Sequence, residues 1–143
     1  MNNKKFLIAL YQNTRTAIQS INDMYPKFRS SKLKQLMKNQ EEKYNSFCNE
    51  TRRLANLKNI TLKENSFFQK AMLWTSINFS TLTNKSSSHI AELFLLGTVR
   101  GTLDIYKALK TYKDASEDIV DVAKRLLEFE ENAFEEIKKY LRD

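Results

Sequence analysis

Glycine, proline, cysteine and histidine are nearly absent from this 143-residue sequence, with two, one, one and one copies respectively. So little turn chemistry argues against a many-stranded sandwich or barrel and against glycine-rich nucleotide loops. The single cysteine, Cys48, cannot form an internal disulfide, which fits a reducing compartment. The single histidine, His89, leaves no material for a His-rich metal centre or a triad with a relay. Long apolar runs are missing too. The longest nearly continuous one, Leu93 to Val99, falls far short of the roughly 20 residues a bilayer requires. The apolar patch after Lys4-Lys5 stops at Tyr11-Gln12-Asn13, too early for a secretory core, so a cytoplasmic protein without a membrane span is expected.

What is present is the material of a globular domain. Hydrophobic residues make up 41% and charged residues 29%, a balance that excludes a disordered chain. At 16.8 kDa a single domain over residues 1–143 is expected. The net charge of +7 is unevenly placed. Residues 1–63 hold 13 Lys/Arg against 4 Asp/Glu, whereas residues 114–143 hold 5 against 10. Two oppositely charged helical regions lying side by side account for this. A basic face of Lys32, Lys34, Lys38, Lys43, Arg52 and Arg53 for nucleic acid or an anionic surface is the alternative.

Apolar residues recur at helical spacing. Leu7, Tyr11, Thr14, Ile18, Ile21, Tyr25 and Phe28 step by three and four, and Pro26 ends or bends that helix. Ser30 or Ser31 caps a second helix with its seam at Leu33, Leu36, Met37, Gln40, Tyr44, Phe47, Thr51 and Leu54. After a connection at 57–61, Thr61 and Glu64 have capping-box spacing ahead of a short helix through Phe67, Phe68, Ala71, Met72, Thr75 and Phe79, with Trp74 on its flank. A helix from His89 to Tyr112 is apolar on nearly every side at its start, which predicts burial. Its Gly97 and Gly101 share a face and predict close packing of a neighbouring helix, with room for a ligand as the alternative. Asp114 and Glu117 are placed to cap a last helix whose seam is Ile119, Val122, Ala123, Leu126, Glu130, Ala133, Phe134, Ile137 and Tyr140. The expectation is an all-α, up-down four-helix bundle joined by short loops, with an additional short helix between helices 2 and 3.

The dominant chemistry of such a scaffold is a carboxylate-bridged pair of iron or manganese ions, which needs Glu from two helices and Glu-x-x-His from the other two. Here Glu41-x-x-Tyr44 and Glu130-x-x-Ala133 have the acids but not the imidazoles. The helix after His89 offers Glu92 and Asp104, and the first helix has no carboxylate before Asp23. A complete di-metal site cannot be assembled from these parts. Glu130 on an apolar stripe needs compensation, and Tyr11, Gln40, Tyr44 and Arg100 are the candidate partners. Cys48 reads as a small buried apolar group.

The segment Asn84–Gly101 (NKSSSHIAELFLLGTVRG) carries a resemblance, together with Asp104–Ala115, the Ala123–Asn132 stretch around Glu128, Glu130 and Glu131, and Lys138-Lys-Tyr-Leu. With Leu10-Tyr11-Gln12-Asn13 and Thr75-Ser-Ile-Asn78, it covers almost the whole chain. The sequence resembles a group of small, uncharacterised ferritin-like proteins of clostridia and related low-GC bacteria. That resemblance implies a ferritin-like bundle in a cytoplasmic, anaerobic setting, from a group that generally lacks the full ferritin ligand set. Arg100 stands where an apolar residue is usual in the group.

Three functions follow as expectations. The first is a non-catalytic structural or interaction protein without cofactor, able to form a homodimer. The second is an iron or manganese oxidoreductase or iron-handling protein with a nonstandard site of Glu41, Glu92, Asp104 and Glu130. The third is the basic-face binder.

Overall fold

The computed structural model describes residues 2–63, 69–70, 72–73, 75, 78–79 and 81–142. Four long helices dominate: α1 (Asn2–Met24), α2 (Ser31–Leu57), α3 (Ser87–Thr111) and α4 (Glu117–Lys138). No strand occurs among the described residues. The short helix expected after Thr61 rests on Glu64, Phe67, Phe68, Ala71 and Trp74, which lie outside them.

The helix boundaries have local causes. Pro26 sits in a 3-10 turn, Tyr25–Lys27, that closes α1. The Ser30 hydroxyl accepts the Leu33 amide at 3.2 Å and starts α2. Ser86 does the same for the His89 amide at the head of α3. α2 ends where Asn59 takes a left-handed conformation, φ 56°, and the Ile60 amide bonds back to the Ala55 carbonyl. The cap expected from Asp114 at α4 is not made. Asp114 instead accepts from Asn2, and Ser116 precedes the helix. Asp118 holds both the Ser116 hydroxyl, at 2.6 Å, and the Ile119 amide, at 2.8 Å.

Contacts at the bundle ends give the directions of the four long helices. The Ser116 amide donates to Asn3 Oδ1, so the turn between α3 and α4 lies beside the start of α1. Lys58 pairs with Asp118 at 3.0 Å, so α2 ends beside the start of α4. The Arg142 amide reaches Ser88, which puts the start of α3 beside the end of α4. The helices therefore run up, down, down, up. The connection from α2 to α3 thus joins opposite ends of the bundle, and it is the stretch in which the additional short helix is expected. α1 packs on α2 and α3, while α4 packs on α3 and α2.

The sequence seams are the packing seams. Leu7, Ile21, Leu33, Met37, Ile119, Leu126 and Ile137 are almost completely buried, joined by Phe6, Leu10 and Met24 from the adjoining flank of α1. Each such side chain contributes about 1.5–3 kcal/mol by leaving water. Cys48 is buried, as its place beside the α2 seam implied. α3 departs from expectation: Leu96, Val99 and Leu103 are exposed, so only one face of this helix is in the core. The basic and acidic halves meet through Lys58–Asp118 and through Arg125, which reaches Glu50 of α2 from α4. Among the described residues no helix is long and apolar enough to cross a membrane.

Candidate functional site

An opening in the bundle lies where α1 faces α3, and the sequence explains the gap. The α1 wall offers Ala9, Thr16, Ala17 and Ser20, while α3 offers Gly97 and Gly101. These side chains are too short to meet across the seam. The result is a cavity of about 380 Å³, closed at its back by Met37 and Tyr44 of α2 and Glu130 of α4. Its size is that of a small-molecule pocket. Phe94 forms part of its apolar wall and packs against Phe79 and Phe28, with ring centroids 6.2 and 6.1 Å apart.

Side chains of α1, α2 and α4 converge on the α3 backbone at the polar end. Tyr44 Oη donates to Glu130 Oε2 at 3.0 Å. Asn13 Nδ2 donates to the Gly101 carbonyl at 3.1 Å. At Gly101 a Cβ would stand 2.8 Å from Glu130 Oε2 and 3.1 Å from Asn13 Nδ2, so glycine is what admits both groups. The close approach expected at the glycine pair thus holds at Gly101, but between side chains and backbone, where a neighbouring helix had been anticipated. At Gly97 it does not hold. A Cβ there would meet nothing within 4 Å, because Gly97 borders the cavity.

Burial governs the electrostatics. Loss of solvation pushes the Glu130 carboxyl up to about 7, despite the hydrogen bond from Tyr44 and the nearby Asn13 amide that draw it down. The charge of Asp104 adds to the upward push. The Tyr44 phenol is raised well above its ordinary value, first by burial and then by the Glu130 charge, so it stays a proton donor. Arg100 and Asp104 line the rim, where they pair with each other at 3.6 Å. Three buried polar atoms of this site find no partner among the described residues: Glu130 Oε1, Asn13 Oδ1 and Gln40 Nε2. Native interiors rarely leave such groups unmet.

The four carboxylates considered for a metal separate. Glu130 and Asp104 border the same cavity. Glu41 is buried on α2 but pairs with Lys38 at 3.3 Å, and Glu92 is exposed on α3. No group of three or more His, Cys, Asp or Glu among the described residues is arranged to hold a metal ion. The donor set disagrees with a di-metal centre as well, since Tyr44 keeps its proton and spends it on Glu130. His89 is half-buried at the head of α3. Of the basic residues considered for nucleic acid, Lys34 lies 4.6 Å over the Tyr25 ring, Lys38 pairs with Glu41, and Arg52 stacks on Tyr11.

Glu130, Gly97 and Gly101 were singled out by sequence, and Gln40 and Tyr44 were named as partners of Glu130. Asn13 was missed as a site residue. Its only signal is a polar side chain one turn from both Ala9 and Ala17, on a face of small residues. Comparison with protein-family models, with curated proteins and with solved structures gives no match for this chain.

Proposed function

We propose that this protein is a non-catalytic binding bundle of the ferritin-like kind, in which the level of a di-metal centre is occupied by a hydrogen-bonded polar cluster. The Tyr44–Glu130 hydrogen bond carries the reading. It joins the acid of one Glu-x-x-His position to the residue standing where the other would have its imidazole. The single long crossover and the neighbour order α1–α2–α4–α3 support the ferritin-like assignment, since bundles of that kind have one long connection. A redox centre needs several anionic or imidazole ligands to hold its charge, and this cluster offers one carboxylate that resists ionisation. A binding site needs shape and a few unpaired polar atoms, and both are present.

Metal analysis of protein purified without chelators, followed by anaerobic titration with iron(II) and manganese(II), tests this. The expected result is no stoichiometric metal and no saturable uptake. Tight stoichiometric metal that disappears in Glu130→Gln would overturn it.

A further inference from the structure

The cavity between α1 and α3 states the chemistry of what it holds. Its walls are mostly apolar, and Glu130, Asn13 and Gln40 line it and each keep one buried polar atom without a partner among the described residues. Two of these atoms are acceptor oxygens, Glu130 Oε1 and Asn13 Oδ1. The third, Gln40 Nε2, is a donor. Glu130 is only 2% exposed and Gln40 5%, so bulk water does not serve them. An acceptor-rich floor with one carboxylate calls for a group bearing several N–H donors and a positive charge. A carboxylate or phosphate ligand would lie against Glu130, while Arg100, the cation that lines this cavity among the described residues, is 75% exposed at the rim and held by Asp104.

Resting on the binding-bundle reading above, we infer that the cavity takes a primary aliphatic amine, with its ammonium on Glu130 and Asn13 and its alkyl chain along Phe94 and Leu93 toward Ile21 and Phe79. Charge and hydrogen bonding fix the head, and apolar contact fixes the tail. From Gly101 to Leu93 the wall runs about 12 Å at 1.5 Å per residue, which accommodates a chain of about six to eight carbons. Bound ammonium supplies the opposite charge that Glu130 otherwise lacks, so a neutral amine and a neutral carboxyl become an ion pair without net proton exchange. An amine already protonated in solution displaces the carboxyl proton to buffer instead.

The test uses the whole chain with n-hexylamine, n-hexanol and hexanoate as probes, followed by calorimetric titration at pH 6 in two buffers of different ionisation enthalpy, where release of the Glu130 proton on hexylammonium binding makes the observed enthalpy differ between the buffers. Hexylammonium is expected to bind saturably, while the alcohol and the carboxylate bind at least about tenfold more weakly. Glu130→Gln should lose at least about tenfold in affinity for hexylammonium and little for hexanol. Gly97→Leu should abolish binding of all three while remaining folded, since its new side chain enters open space. Equal binding of all three probes, sensitive to Gly97→Leu, would overturn the amine assignment and leave the binding-bundle reading standing. No binding of any probe would overturn both. Hexylammonium binding that survives Gly97→Leu would place the amine elsewhere and overturn the inference.

Discussion

At the scale of single residues, Glu130 dominates the chemistry of this molecule. Its carboxyl is held at about 7 in the folded chain against an ordinary 4.5. Below pH 4.5 it is protonated in both folded and unfolded states and contributes nothing to pH dependence. Between 4.5 and 7 the unfolded chain ionises first, so the folded state loses stability as pH rises, and the loss is complete above 7. At about 1.4 kcal/mol per pH unit the full penalty is about 3 kcal/mol. Glu130→Gln keeps an acceptor for Tyr44 and cannot ionise. Its stability relative to the parent chain should therefore climb between pH 4.5 and 7.5, read by urea denaturation, and a flat difference would contradict a buried carboxylate. The two glycines separate as sharply. Gly97→Ala should stabilise by about 0.5–1 kcal/mol, the usual gain of alanine over glycine within a helix, because its Cβ meets open space. Gly101→Ala should give no such gain and should weaken the Glu130–Tyr44 contact, because its Cβ collides with Glu130 Oε2.

At the scale of elements, helical periodicity was the legible signal. The seams of α2 and α4 follow the three-and-four spacing closely, and Ser30 is the cap its position implied. Ser30→Ala should cost about 1 kcal/mol in chemical denaturation, the usual worth of an N-cap. Two elements were misread for physical reasons. α3 looked buried because apolar side chains surround its first turns, yet Leu96 and Val99 face outward, and periodicity does not record what lies opposite a helix face. Asp114 was placed as a cap by spacing alone, but Asn2, far away in sequence, takes its carboxylate. The cavity was illegible for the same reason. Gly97 and Gly101 predict close packing first and a gap second, and only the distance between α1 and α3 in the folded chain decides between them.

At the scale of the whole molecule, connectivity follows from contacts at the bundle ends and not from helix count. The run up, down, down, up sets α2 and α4 antiparallel and brings Lys58 against Asp118. A Lys58→Cys, Asp118→Cys pair in a Cys48→Ala background should be joined by a short bifunctional thiol crosslinker. Strict up-down alternation would hold the same positions at opposite ends of helices more than 30 Å long, by a rise of about 1.5 Å per residue. This connectivity also lets all four helices meet at one level, where Asn13, Tyr44, Gly101 and Glu130 assemble beside the cavity. The most direct measurement of that assembly is a carbon-13 titration of the Glu130 carboxyl, assigned by comparison with Glu130→Gln. A midpoint near 7 that falls when hexylammonium is added is the expected result. A midpoint near 4.5 in the free protein would mean that water reaches this carboxylate, and the polar floor described here would not exist.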